Sequence, residues 1–370
     1  MTVLQDIVNT RCDRKRGTMT HVSDNFEGPG GSRPRRRPTL RQVAAHAGVG
    51  FKTVARVVNG EGSVAPETAA KVQAALRELH YVPDDFAGSL KKDGGRTRTI
   101  GLTISNVANP LAAQIHGGVE LVAMPRNVAT FAASLNEQPS AEIEHTRAFL
   151  RRRVDGLILT PVAEDQSYLQ LAIDRGTAVV FVDREPVGLR ADTVKVDDVA
   201  SAFTAVGHLA EVGHRRIAHL GDRQRIQTAR QRREGYFNAM RSRGLPIDEG
   251  IVMLDIPDEL HAYAAARRML EADDPPTAIH SAQNLITVGV IRALRDLGLS
   301  RRVAVVGFDD IALSDLLDPP VTVISHDLSR IGRVAAERLF ARIDGDESEP
   351  RTVFVPTELV VRGSGEIRPQ

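Results

Sequence analysis

Two periodicities divide this chain. From about residue 99 onward, short runs of nearly unbroken apolar residues alternate with longer stretches whose apolar positions recur three and four apart. The runs predict strands at 100–104, 128–132, 156–160, 178–182, 216–221, 278–281, 303–308 and 322–325. The stretches predict amphipathic helices near 111–124, 140–153, 167–175, 198–212, 229–243, 260–272, 284–297 and 328–343. A strand buried on both faces reads as continuous apolar sequence. The alternation therefore predicts parallel sheets covered by crossover helices. Residues 99–366 are too many for one such sheet and suit two lobes. Ligands in such folds lie beyond the carboxyl ends of the strands.

Residues 39–81 follow a helical period only. Thr39 can cap a helix whose Leu40, Val43, Ala44 and Ala47 share one face. Gly48 permits a tight turn, and a second helix over 51–58 offers Val54, Val57 and Val58 for burial. Asn59-Gly60 ends it. Pro66-Glu67 opens a third helix, with Val72, Leu76 and Leu79 on its apolar side. Two short helices joined by a tight turn and braced by a third make a helix-turn-helix. Upstream, Gly28-Pro29-Gly30-Gly31 and the run Arg35-Arg36-Arg37 read as a disordered basic tail over 1–38. Downstream, residues 84–92 have mild helix potential weakened by Gly88, and Asp93-Gly94-Gly95 marks a linker.

Charge sharpens this division. The formal net charge is only +1, but residues 1–38 carry eight Lys/Arg against four Asp/Glu and residues 39–96 carry eight against six. The front is thus +6 and the remainder −5, which suits a polyanion partner at one end. The single cysteine, Cys12, excludes an intrachain disulfide and a cysteine zinc cluster. No apolar run reaches 18 residues, and the first 20 residues lack an apolar core typical of secretion signals. A cytoplasmic, nucleoid-associated protein without membrane contact is expected. Gly-x-Ser-x-Gly, His-Glu-x-x-His and the phosphate-loop pattern are absent, so catalysis is not expected. No cofactor and no metal are expected either; His208 and His214 lie around a helix end without companion ligands.

The stretches TLRQVAAHAGV, FKTVARVVNG, VAPETAAKV and YVPDDFAGSL resemble the DNA-binding headpiece of the lactose/galactose repressor family of bacterial transcriptional regulators. TIGLTISNVANP, VDGLILTP, VDREPVGL, EVGHRRIAHLG, VAVVGFDDIA and PPVTVIS resemble that family's effector-binding core, in the same order. The resemblance spans about 39–364 and implies a fold: an α/β, two-lobed, periplasmic-binding-protein-like core behind an all-α helix-turn-helix headpiece and a hinge helix. The implied domains are 39–83 for DNA binding, 84–98 for hinge helix and linker, and 99–366 for effector binding and dimerisation. It also implies a homodimeric regulator of double-stranded, pseudo-palindromic operator DNA, answering to a small effector such as a sugar or nucleobase.

The resemblance makes 51–58 the recognition helix, with Phe51, Lys52 and Arg56 facing outward. Lys52 and Arg56 stand four apart on one face, and both can donate to guanine O6 and N7. Phe51 can press on a thymine methyl. Thr39, Arg41 and Thr53 suit phosphate positioning. The alternative has the cations touching phosphates only and Phe51 packing within the chain. Leu90 matches the apolar wedge that enters the minor groove, its alternative being a cover for the body surface. Departures are Gly50 and Ala55 where serine is usual, Asp84 in place of asparagine, and Gly88 in place of a longer polar residue.

In the core, Arg232 and Asp309 match the family's most regular ligand contacts, Asp183 another, and Gln283 retains an amide where asparagine is usual. Arg232 is placed by the following Gly235-Tyr236, with Arg230 and Arg233 as near competitors. Each of these could instead form a salt bridge within the cleft. Asn284 replaces an aspartate, and Leu111-Ala112 replaces an aromatic pair, so an aromatic platform would have to come from elsewhere, such as Phe308. A neutral sugar or polyol is the expected effector. No leucine heptads follow the body, which favours a dimer over a tetramer. Competing readings are a solute-binding protein without operator-specific DNA binding, and an architectural DNA-binding protein in which Arg232 and Asp309 seal each other off.

Overall fold

The structure is a computed structural model that describes residues 38–60, 64–81 and 96–370. The tail, the hinge segment with Asp84 and Gly88, and Leu90 lie outside the described residues. The described residues fall into two compact units.

The first unit is three helices: α1 (Leu40–Ala47), α2 (Phe51–Val58) and α3 (Pro66–Glu78). Thr39 and Gln42 form a capping box: the Thr39 hydroxyl accepts from Gln42 N–H, and the Thr39 N–H donates to Gln42 Oε1 at 2.8 Å. Gly48 closes α1 in the left-handed region at φ 65°, which a side chain would resist. Gly50 caps α2 without a side-chain bond, as its missing hydroxyl dictates. Val43, Ala44, Val54, Val72 and Ala75 form the core, ringed by Leu40, Val57, Leu76 and Tyr81. His46 on α1 bonds Glu78 on α3 at 2.6 Å.

The second unit has two parallel sheets, each the floor of a lobe. In lobe 1 the strands run in the order β11 (Thr352–Phe354), β5 (Asp192–Lys195), β4 (Ala178–Val182), β3 (Gly156–Leu159), β1 (Thr99–Ile104), β2 (Ala129–Ser134). In lobe 2 the order is β12 (Thr357–Val360), β10 (Thr322–His326), β9 (Ala304–Phe308), β8 (Ala278–Ser281), β6 (Ile217–Leu220), β7 (Val252–Met253). Only β12 runs antiparallel to its neighbour among these pairings. The eight expected strands all form, and β5, β7, β11 and β12 are additional. Those four are short and polar or lie at an edge, so no apolar run announces them.

Lobe 1 is covered by α4 (Pro110–Ala123), α5 (Pro139–Arg151), α6 (Gln170–Asp174) and α11 (Leu328–Ile343). Lobe 2 is covered by α7 (Asp198–Val212), α8 (Gln227–Ser242), α9 (Glu259–Leu270) and α10 (Asn284–Asp296). The chain therefore crosses between lobes three times: from β5 to α7, from β10 to α11, and from β11 to β12. Ser201 Oγ and Thr357 Oγ1 lie 2.9 Å apart and tie the first crossing to the third.

Glycines let the covering helices approach backbone to backbone. A Cβ on Gly332 in α11 would lie 2.0 Å from the Ile115 carbonyl of α4, and one on Gly235 in α8 would lie 2.3 Å from the Val199 carbonyl of α7. A Gly332→Ala chain gains about 1 kcal/mol of helix propensity. It loses about 1–3 kcal/mol or more to overpacking, because the obstacle is a carbonyl that no rotamer moves. A lower urea midpoint is the expected result; an unchanged or higher one would refute the close-crossing argument.

Asp192, at the start of β5, is the electrostatic anchor of lobe 1. Arg342 Nε donates to it at 2.8 Å, Arg338 Nη2 at 3.0 Å and the Arg351 N–H at 3.1 Å. Burial pushes its carboxyl up, but these donors outweigh burial and hold it below the ordinary range. A depressed folded pKa contributes stability that is present above the unfolded value and lost as pH falls through the folded one. Asp192→Ala is expected to cost about 1.5–3 kcal/mol at pH 7, because Arg338 and Arg342 lose a buried charged acceptor and keep only Asp346 and the carbonyls of 346 and 348. The loss should shrink when the same unfolding series is run toward pH 3.

Candidate functional site

The sequence points to two sites, one on each unit. On α2 the apolar face is spent on Val54 and, in part, Val57 and Val58. The opposite face carries Lys52 and Arg56, both exposed, and Phe51, which is 50% exposed. Neither cation has an ion-pair or hydrogen-bond partner among the described residues. An arginine, a lysine and an apolar ring on one exposed helical surface provide donors for base edges and a contact for a thymine methyl. Arg41 is exposed at the start of α1, Thr53 is half-buried, and the hydroxyl of Thr39 is engaged in its cap.

In the second unit, four expected residues converge on the cleft between the lobes: Asp183, Arg232, Gln283 and Asp309 all line it. Asp183 directly follows β4 and Asp309 directly follows β9, so each lobe offers one carboxylate from the carboxyl end of a central strand. Both adopt positive φ, 72° and 67°, a region that aspartate tolerates better than most residues. Their N–H groups donate to the next strand, to Val194 O and Ile324 O, each at 2.9 Å. The turn thus aims the carboxylate outward while the backbone continues the ladder.

Arg232 comes from the second turn of α8 and is buried. Its Nε donates to Asp198 at 2.7 Å and its Nη1 to the Ala282 carbonyl at 2.9 Å. Its guanidinium lies 3.6 Å above the Phe308 ring, a cation–π contact. Phe308 is therefore covered and fully buried, which removes it as an open platform for a sugar face. Asp309 stands 4.0 Å from Arg232 and 3.7 Å from His326, both longer than hydrogen bonds. Arg232 and Asp309 are buried but do not seal each other off. Arg230, its competitor in the sequence, instead donates to carbonyls 224 and 225 at its own helix start.

Gln283 lines the cleft as the cap of α10: its Oε1 accepts from Leu285 and Ile286 N–H at 2.8 and 3.1 Å. Its carbonyl oxygen is thus committed to the helix. Asp310 is structural, forking onto Arg362 at 2.9 and 2.6 Å. His208 and His214 hold the C-terminal segment, through Glu366 at 2.6 Å and the Ile367 carbonyl at 2.7 Å.

Several cleft residues were not among the expected ligand contacts. The side chain of His326, at the second crossing, is buried, and its Nδ1 has no hydrogen-bond partner among the described residues. Burial lowers its pKa although Asp309 pulls the other way. Asn284 and Asn109 exchange amide hydrogen bonds across the lobes at 2.9 and 3.3 Å. Arg184 is forked onto Glu137 at 2.7 and 3.0 Å, which spends that cation within lobe 1. The signal that could have found Asn109 and Asn284 is the departure of both loops from the family pattern. Arg184 lies within the VDREPVGL stretch, but nothing there marks Glu137 as its partner, and His326 and Glu137 give no signal.

The described residues contain no group of three or more His, Cys, Asp or Glu able to hold a metal. No helix among them is long and apolar enough to cross a membrane.

Comparison with known proteins matches residues 39–84 to bacterial regulatory proteins of the lacI family and residues 206–365 to a periplasmic binding protein-like domain. The HTH-type transcriptional regulator CelR of Thermobifida fusca is 33% identical over 90% of this chain and 99% of its own. The ribose operon repressor of Escherichia coli (strain K12) is 30% identical over 88% and 99%. Among solved structures, a lac repressor dimer bound to operator and the anti-inducer ONPF covers 89% of this chain and 99% of its own, with a TM-score of 0.77 and 26% identity. A CelR–cellobiose complex covers 89% and 100%, with a TM-score of 0.65 and 31% identity.

Proposed function

Because the chain belongs to the lacI family of bacterial regulatory proteins, we propose that this DNA-binding transcriptional regulator is a homodimeric repressor of pseudo-palindromic operators, relieved or reinforced by a neutral sugar or polyol held between its lobes. One observation carries this reading: a single chain joins an exposed, unpaired cationic helix face to a cleft of buried polar groups with bonding capacity left over. A solute-binding protein has no use for the first, and an architectural DNA-binding protein has none for the second.

Lys52 and Arg56 read bases, Phe51 contacts a thymine methyl, and Thr39, Arg41 and Thr53 set the register on phosphates. Leu90, by its match to the family pattern, is the minor-groove wedge. In the cleft, Asp183 and Asp309 accept from vicinal hydroxyls and Arg232 donates to a ring or hydroxyl oxygen. Arg184 and Arg232 are paired with carboxylates at 2.7 Å each, and Arg223, the third arginine of the cleft, faces Asp222 at 3.8 Å, so the positive charge of the cleft is matched by carboxylates and favours a neutral ligand over an anionic one. Similar proteins support the ligand class, since one solved relative is a cellobiose complex and a curated one is a ribose operon repressor.

Dimerisation accounts for apolar side chains left on the surface. Leu121, Met124 and Phe131 are exposed around the end of α4 and the edge strand β2, and Leu260, Leu313 and Leu316 are exposed on lobe 2. A ligand that binds one lobe arrangement more tightly shifts the dimer toward it and changes operator affinity by that difference.

The test is selection of genomic fragments by the purified full-length protein, repeated with a library of sugars and polyols. A palindromic site whose recovery changes with one compound is the expected result. Sequence-independent recovery from a folded dimer would overturn the regulator reading. A palindrome indifferent to every sugar and polyol would overturn the proposed ligand class.

A further inference from the structure

The buried ion pair behind the cleft has a feature that ligand binding alone does not require. Asp198 is the first residue of α7, three positions beyond the end of β5, on the first chain crossing between the lobes. Its Oδ1 accepts from Arg232 Nε, while its Oδ2 is buried and has no partner among the described residues. Arg232 in turn reaches toward Asp309 with its Nη1 at 4.0 Å. One guanidinium is therefore shared between a carboxylate on the hinge and a carboxylate in the cleft.

We propose that Asp198 is the positioning residue of the cleft: it holds Arg232 from behind and couples the position of that arginine to the hinge crossing. This rests on the reading of the cleft as an effector site, which makes Arg232 the group a ligand would engage. A hydroxyl or ring oxygen drawing on Arg232 pulls against Asp198, and the strain passes to the segment where lobe 1 becomes lobe 2. Protonating Asp198 releases the same arginine toward Asp309 without any ligand, so the coupling has a pH signature.

The groups facing Asp198 are Arg232 from α8, Asp183 after β4 and Lys195 at the end of β5; Asp309 and His326 act on it through Arg232. Burial raises the Asp198 carboxyl to about 6, more than Arg232 lowers it. The folded chain then holds the proton more tightly than the unfolded chain, whose ordinary value is 3.8. Stability contributed by the proton is full below the unfolded value and is lost as pH rises to the folded one.

The experiment compares urea unfolding of the full-length wild type and Asp198→Asn between pH 4 and pH 7.5, with Arg232→Gln and the double variant completing a cycle. Asparagine keeps an acceptor for Arg232 Nε but cannot titrate. The wild-type folding constant, relative to Asp198→Asn, is expected to fall on the order of tenfold to a hundredfold across this range. That fall should grow in the Arg232→Gln background, because the cation that holds the Asp198 carboxyl down is gone. Parallel profiles for wild type and Asp198→Asn would overturn the proposal, as would a difference that ignores Arg232. If Asp198→Asn does not fold, amide exchange of the wild type at residues 195–200 and 326–328 gives the second reading. Protection falling between pH 5 and pH 7 supports the coupling, and constant protection refutes it. Neither measurement uses a ligand, so failure here leaves the effector reading standing, and a failed sugar screen leaves these profiles readable.

Discussion

Replacing both Lys52 and Arg56 by alanine is expected to reduce binding to the selected operator to the level of random DNA. A bidentate contact from a cation to guanine discriminates by about 1–3 kcal/mol, so losing two costs roughly thirtyfold to ten-thousandfold. The floor is set by the non-specific affinity that the remaining cations supply. The fold should not change, because both side chains are exposed and neither has a partner among the described residues. Competition binding against single-base operator variants, repeated at several salt concentrations, separates base reading from phosphate contact. Base reading predicts relaxed preference at particular positions. Equal loss on every sequence, with the salt slope smaller by about one per residue, would make both cations phosphate contacts and defeat the recognition assignment.

Asp309→Asn should uncouple the effector from the operator. Asparagine tolerates the positive φ of 67° at this turn, so the backbone can keep its course where alanine would add strain. What is lost is a charged acceptor, whose hydrogen bonds contribute about 1.5–3 kcal/mol each. The effector concentration that half-changes operator occupancy should therefore rise by roughly tenfold to a hundredfold or more. Operator affinity without effector should stay close to wild type, since Asp309 touches Arg232 and His326 only at 4.0 and 3.7 Å. Unchanged effector response would remove Asp309 from the ligand contacts and return it to the role of a cleft counter-charge.

These two predictions differ in what supports them. The first is almost wholly a sequence argument. Residues 51–58 have one apolar face, a glycine-permitted turn before them and an Asn-Gly stop after them, so the helix and its outward cations follow from local periodicity. The second needs residues 183, 232 and 309, which periodicity can place at strand ends and helix starts but cannot bring together. Their convergence depends on the crossovers that set two parallel sheets carboxyl-end to carboxyl-end.

The sequence by itself determined the helix-turn-helix, the two-lobed α/β plan and the family, because each rests on short-range signals: apolar period, turn residues and ordered motifs. Four strands escaped it, since β5, β7, β11 and β12 owe their pairing to neighbours rather than to apolar content of their own. Only the tertiary structure decided who partners whom. It gave Arg232 to Asp198 rather than to Asp309, covered Phe308 with that arginine, spent Arg184 on Glu137 and joined Asn109 to Asn284. The reason is physical. A buried charge or amide takes the partner whose geometry and desolvation suit it best, and those partners here lie 34 and 47 residues away along the chain for the two arginines and 175 for the asparagine pair.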